Sequence, residues 1–352
     1  MEMMATVALK PGMELGEDVT DYKGRVIIKK NTVLDKFLIQ KLTINSINCV
    51  TVKEAEDYIS TYFHKIKVSK TFKQFEELYF TYFTAYRDSL EAFIYKNRPM
   101  DNDALLEIIT TITTPFLKSK TTILDMLSVL QTEEKDFLIA HGLNVALICH
   151  YTGKWFKLSA EEINTLILCG FYYDIGKFKI PIEIIRKPGK LTDEEFELMK
   201  THPLYGYQLI QELPIDDNIK LATLMHHERC DGSGYPQKLL NERINPFAKI
   251  ISILDAYEAM ASFRSYRPPL CPFKVIDIFE QSGLGKYDVA YYLIFLERMV
   301  EEYIGKEVML NDGTECVVVL INKHALSRPM VKAGDSYIDL SKNKNLFIET
   351  LI

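Results

Sequence analysis

From Glu54 to Leu130 the chain carries no glycine, and Pro99 and Pro115 are its only prolines in that stretch. A segment this long without residues of free or locked φ has few places to break a helix. Apolar and aromatic side chains recur in it at helical spacing: Phe75, Leu78, Tyr79, Tyr82 and Phe83, then Leu105, Ile108, Ile109 and Ile112. The spacing predicts long amphipathic helices, each with one face to bury. Residues 54–132 are therefore read as a helical connector with two uses open. It couples a front module to a back one or forms a homodimer stalk, or it packs as a layer on the domain that follows.

The flanking segments differ in kind. Residues 1–53 alternate short apolar runs with turn signals: Val7-Ala8-Leu9, Lys10-Pro11-Gly12, a turn at Asp21–Arg25, then Val26-Ile27-Ile28. With a helix over Asp35–Leu42 and a strand at Cys49–Val52, they predict a small α+β module. Residues 133–304 are helical again. Ser159-Ala160-Glu161-Glu162 and Thr192-Asp193-Glu194-Glu195 are capping boxes that open helices. Further helices are expected over about Asn218–His227, Ala248–Ser262, Pro272–Gln281 and Val289–Tyr303. In residues 305–352, Asn311-Asp312-Gly313-Thr314 between Val308–Leu310 and Cys316–Leu320 predicts a hairpin, since Asp-Gly tolerates the positive φ of a tight turn. The expected fold class is mostly α: an all-helical domain between a small α+β N-terminal module and a small β C-terminal appendage. A chain of 352 residues fits several such units better than one core.

Composition narrows the partners. A net charge of −6 gives no general electrostatic reason for a nucleic acid polymer or an anionic membrane surface. No apolar run approaches the roughly 18–20 residues of a membrane span. Six scattered cysteines without a CxxC pair read as reduced thiols. The start, Met1-Glu2-Met3-Met4, shows none of the marks of a secretory signal, so a cytoplasmic location is expected.

Five of the seven histidines (141, 150, 202, 226, 227) fall in the helical middle. His150 lies nine residues past His141, on the opposite face of a continuous helix, and is set aside. The other four accompany carboxylates. Asp174 follows a helix and precedes Gly176 and Lys177, and Asp255 sits inside the apolar run Ile250–Tyr257. A carboxylate there needs a cation or a donor beside it. Adjacent His226 and His227 diverge by roughly 100° on a helix and reach one ion only where the helix ends. The turn-rich Asp231–Pro236 run supplies that end. Imidazoles and carboxylates from several helices suit iron, manganese or zinc rather than calcium, and also suit two ions sharing a carboxylate.

These residues resemble the HD-GYP branch of the HD-domain phosphohydrolases. The likeness covers about His141 to Arg267, and more loosely the helices to Tyr303. It is carried by His141 with Asn144-Val145-Ala146, Asp174-Ile175-Gly176-Lys177 and Lys187-Pro188-Gly189-Lys190-Leu191-Thr192. It continues through Met199–Pro203, His226–Arg229, Asp231–Pro236, Asp255 and Arg264-Ser265-Tyr266-Arg267. The resemblance implies an all-helical domain holding two divalent ions, usually iron or manganese, that hydrolyses cyclic di-GMP. By position it makes His141, Asp174, His202, His226, His227 and Asp255 metal ligands, with Asp174 bridging. Lys177 matches the lysine on the scissile phosphate, and Arg264 and Arg267 match substrate contacts. Lys187 is a further basic candidate in the cleft. The Gly234-Tyr235-Pro236 loop lies near the substrate and also serves protein contacts in the family.

The chain departs from the pattern twice. Tyr173 stands where the family has the histidine of its His-Asp pair, and Phe137 stands where some members carry a glutamate for a third ion. A neutral phenol with a normal pKa near 10 is a poor ligand for divalent ions. The leading expectation is a metal-dependent cyclic di-GMP phosphodiesterase of reduced activity. The alternative is a degenerate domain that binds metal or cyclic di-GMP as a sensor or scaffold. A third, weaker reading is a related phosphohydrolase acting on another nucleotide.

Overall fold

The connector residues fold as their spacing predicts. In the computed structural model, which describes residues 2–6, 9, 12–20, 24–44, 47, 49–53, 61–187, 190–262 and 269–352, helix α2 (Thr61–Lys67) leads into α3 (Lys70–Lys96). Ser69 caps α3 by accepting from the Phe72 amide, and Asn97 ends it in the left-handed region at φ 53°. Its buried side chains are Phe72, Phe75, Tyr79, Phe83, Tyr86, Leu90 and Phe93, spaced at three and four. They pack on α4 (Asn102–Thr113) and α6 (Phe137–Gly153), with the short, wholly buried α5 (Ile123–Val129) between those two in sequence. At about 2 kcal/mol per large apolar side chain, this face is worth on the order of ten kcal/mol in gross burial. It is committed to the helical middle, so it is not a free dimer stripe.

The N-terminal module differs in detail from its prediction. Its first described strand is β1 (Glu2–Ala5), paired antiparallel with β4 (Cys49–Val52). Val7, Ala8, Lys10, Pro11 and Asp21–Lys23 lie outside the described residues. β2 (Val19–Thr20) pairs with β3 (Val26–Ile28), and α1 (Lys36–Ile44) closes the module over Leu15, Leu34, Leu42 and Val52.

In the middle, α6 packs closely along α7 (Ala160–Tyr172). A Cβ on Gly170 would fall 2.8 Å from the Ala146 Cα, so only glycine permits this approach. Both expected capping boxes form, at Ser159/Glu162 and at Thr192/Glu195. α8 (Ile182–Ile185), α9 (Asp193–Met199), α10 (His202–Ile210), α11 (Asp217–Met225), α12 (Pro246–Ala261), α13 (Pro272–Ser282) and α14 (Val289–Glu301) complete the helices. The predicted hairpin is β5 (Glu307–Leu310) and β6 (Glu315–Leu320), with Gly313 at φ 86°. With β7 (Met330–Ala333), β8 (Ser336–Asp339) and β9 (Ile348–Leu351) it makes an antiparallel sheet of order β8-β7-β6-β5-β9. One apolar core runs from Phe63 through the helices to Leu351, so connector, helical middle and sheet are packed together. Among the described residues no helix is long and apolar enough to cross a membrane.

Candidate metal centre

Three helix ends and two helix faces meet at Asp174. The residue follows α7, where the chain turns into a 3-10 segment over Ile175–Lys179. This turn brings Lys177 Nζ onto Asp174 Oδ2. His202 opens α10, and His226 and His227 follow α11, which stops at Met225, so the two adjacent imidazoles reach one site. His141 faces inward from α6 and Asp255 from α12. One ligand atom from each of Asp174, His202, His226 and His227 can be chosen within 4.8 Å of the others, and likewise from His141, Asp174 and Asp255. Asp174 belongs to both groups, the layout of a bridging carboxylate.

The histidine side has the donor arrangement of a ligand set. His202 Nδ1 donates to the Met199 carbonyl at 2.8 Å, and His226 Nδ1 donates to the Thr223 carbonyl at 2.9 Å. These bonds leave each Nε2 with a bare lone pair, the tautomer that metal-bound histidines show. The two Nε2 atoms face each other at 3.2 Å and stand 3.3 and 3.6 Å from Asp174 Oδ1. Asp174 Oδ1 is buried and has no hydrogen-bond partner among the described residues. Lone pairs and a carboxylate oxygen meeting without a proton between them repel unless a cation lies among them. Burial pushes the His202 and His227 imidazoliums below their ordinary values, and the neighbouring histidines push His227 down further. Both are therefore neutral at pH 7, as ligation requires. Burial opposes charge on Asp174, but the Lys177 ammonium beside it holds its carboxyl well below the usual range. The residues on this side fit a divalent ion.

The other side is differently built. His141 Nδ1 is 2.5 Å from Glu258 Oε2, and His141 Nε2 is 2.9 Å from Asp255 Oδ1. Burial would depress the His141 imidazolium, but Glu258 and Asp255 outweigh it and raise it to about 9. The Tyr173 hydroxyl lies 2.6 Å from His141 Nε2 and donates to Asp255 Oδ1 at 3.1 Å. Burial, then Asp255 and Asp174, push that phenol well above its usual value, so it stays protonated.

Sequence reading missed the shell behind His141. Glu258 also accepts from Asn144 Nδ2 at 2.8 Å and Ser262 Oγ at 2.6 Å, while Asn144 Oδ1 accepts from the Tyr79 hydroxyl on α3 at 2.9 Å. The available signal was a second carboxylate one turn after Asp255 on the same apolar helix. Glu258→Leu would strand three buried donors, and a cost of about 3 kcal/mol in urea unfolding of the metal-free protein is expected. A loss below about 1 kcal/mol would show that water serves these groups equally well.

Other predicted site residues divide. Tyr235 stacks on the His227 ring at 4.7 Å, on a loop held by Glu228, which accepts from the Gln237 and Leu239 amides at 2.6 and 2.9 Å. Gly234 is required there, because a Cβ would meet the Arg229 amide nitrogen at 2.3 Å. Lys187 pairs with Glu195 across the start of α9. Arg264 and Arg267 lie outside the described residues. His150, set aside from the sequence, bonds Thr113 Oγ1 away from this cluster.

The HD-domain family profile matches residues 125–290. A cyclic di-GMP phosphodiesterase of Pseudomonas aeruginosa is 27% identical over 227 residues, 64% of this chain and 54% of that protein. A 3'3'-cGAMP-specific phosphodiesterase of Vibrio cholerae is 28% identical over 197 residues, 54% of this chain and 46% of that protein. The chain thus spans about half the length of these relatives. A solved HDG"Y"P protein of Bdellovibrio bacteriovorus has the same fold, with a TM-score of 0.51 at 14% identity over 85% of this chain and 99% of that one. The profile match spans the helices that carry His141, Asp174, His202, His226 and Asp255, so residues 125–290 are similar to an HD domain, and the motifs along them resemble those of the HD-GYP branch.

Proposed function

We propose that this chain is a metal-dependent phosphodiesterase of cyclic dinucleotides, with cyclic di-GMP as the leading substrate. The observation that carries the reading is the unpartnered Asp174 Oδ1 facing two bare imidazole nitrogens, with Lys177 on the same carboxylate. Iron or manganese suits this mixed imidazole and carboxylate set. Held there, a divalent ion would supply Lewis-acid chemistry, neutralising phosphoryl charge and making water nucleophilic near neutral pH. The His141, Asp174 and Asp255 group is where a second ion of a two-ion centre would sit.

The chain's own residues would do the rest. Asp174 Oδ2 holds the Lys177 ammonium beside the cluster, where it offsets negative charge developing on the phosphate. Tyr235, stacked on His227, walls the site on the loop side and limits water. Substrate contacts by Arg264 and Arg267 remain part of this proposal through the sequence pattern. Names of the relatives include both cyclic di-GMP and 3'3'-cGAMP, so the second nucleotide belongs in the same assay.

The test incubates the full chain and manganese or ferrous iron with each nucleotide and separates the products by chromatography. Slow, metal-dependent loss of cyclic di-GMP is expected, and chelator should abolish it. Lys177→Ala should lower that turnover by about 100-fold, the usual effect of removing one charge-stabilising donor. Nucleotide binding without turnover under any metal would transfer the chain to the alternative reading, a cyclic di-GMP sensor.

A further inference from the structure

The two halves of the centre differ in how their polar atoms are satisfied. On the histidine side, Asp174 Oδ1 has no partner among the described residues, and the Nε2 atoms of His202 and His226 oppose each other at 3.2 Å. That spacing matches the separation of two ligands of one ion with metal bonds of about 2.1 Å, roughly 3 Å or a little more. On the His141 side no buried polar side-chain atom among the described residues is left without a partner. His141 bonds Glu258 through Nδ1 and Asp255 through Nε2, while Tyr173 bonds both His141 and Asp255. The Tyr173 hydroxyl is 2.6 Å from His141 Nε2, a direct hydrogen bond rather than the edge between two ligands. Tyr173 is fully buried, and its ring packs on His226 at 5.0 Å and on His141 at 5.8 Å, so the hydroxyl has no open space to swing into.

Side-chain length explains the substitution. A phenol carries its oxygen further from the backbone than an imidazole carries Nε2, by about one metal–ligand bond (~2 Å). Where a histidine would stop at the ion's edge, the tyrosine reaches into the ion's place. We propose that the Tyr173 hydroxyl occupies the second metal position in this chain, leaving one resident ion at Asp174, His202, His226 and His227. The His141–Asp255–Glu258 group then serves as a hydrogen-bonded wall that holds the outer face of the cluster. This inference rests on the metal-dependent reading of the site but not on catalysis.

Metal stoichiometry without nucleotide tests it. The full chain is titrated with manganese(II) by calorimetry, and the bound ion is examined by electron paramagnetic resonance. Wild type should bind one ion per chain with the spectrum of an isolated ion. Tyr173→His should bind two, with the exchange-coupled spectrum of ions sharing a carboxylate. Tyr173→Phe, which removes the hydroxyl and keeps the ring, should still bind one, because no ligand is added. Two coupled ions in wild type would overturn the proposal whether or not the histidine variant folds. So would no ion in wild type, or a correctly folded Tyr173→His that still binds one. None of these readouts uses turnover, so failure of the phosphodiesterase assay is separate from failure here.

Discussion

Alanine at His202 is expected to empty the histidine side of the centre. His202 is almost fully buried, its Nδ1 is tied to the Met199 carbonyl, and its Nε2 is aimed at Asp174 Oδ1 from 3.3 Å. Loss of a partner that merely orients a ligand typically costs 10–100-fold in metal affinity. Loss of the ligand itself should exceed that, so manganese binding should weaken by more than about 100-fold and metal-dependent turnover should vanish with it. His227→Ala should act in the same direction, with a further loss from the ring on which Tyr235 stacks. His64→Ala and His324→Ala, on exposed positions of α2 and of the turn after β6, should bind metal as wild type does. Elemental analysis of the purified variants and a competition titration against a chelator read both effects. Equal metal loss from the two pairs would show that the ligand assignment is wrong.

Gly176→Ala is expected to damage both stability and metal binding without touching a ligand. A Cβ at Gly176 would lie 1.9 Å from the His202 carbonyl oxygen and 2.5 Å from the Gly206 amide nitrogen. Both are backbone atoms, so relief requires moving the start of α10 away from the 3-10 turn that carries Lys177. Overpacking of this kind costs about 3 kcal/mol, and displacing His202 by about 1 Å should weaken metal binding at least tenfold. Gly313→Asn in the β5–β6 turn is the matched control. It also alters a glycine, but its Cβ meets nothing within 4 Å and asparagine tolerates the positive φ. Its effect should stay within about 0.5 kcal/mol. Urea unfolding with and without manganese separates the two losses at Gly176, and wild-type stability in Gly176→Ala would mean that α10 yields freely.

Local pattern determined a great deal of this protein. Helix α3 was legible because aromatic spacing at three and four survives any tertiary context that buries one face. The capping boxes at Ser159 and Thr192 and the turn at Gly313 were legible because their bonds close within four residues. The participants in the cluster were legible because histidines and carboxylates are costly in apolar helices unless they meet a partner. The N-terminal strand was less so: β1 is defined by pairing with β4, far along the chain, and short apolar runs do not declare their register.

Tertiary structure alone decided how the members of the site divide. No spacing in the chain relates Asp174 Oδ1, left without a partner, to Asp174 Oδ2, held by Lys177. Nothing local brings Tyr79 of the connector to Asn144, or Asn144 to Glu258, and so places α3 behind His141. Sequence could say only that Tyr173 stands where the resembled HD-GYP pattern has a histidine. Only the packing of α6, α7 and α12 shows its hydroxyl between His141 and Asp255. The reason is physical: propensity and capping act over a few residues, whereas the partner of a buried polar atom is chosen by whichever helices the whole core brings together.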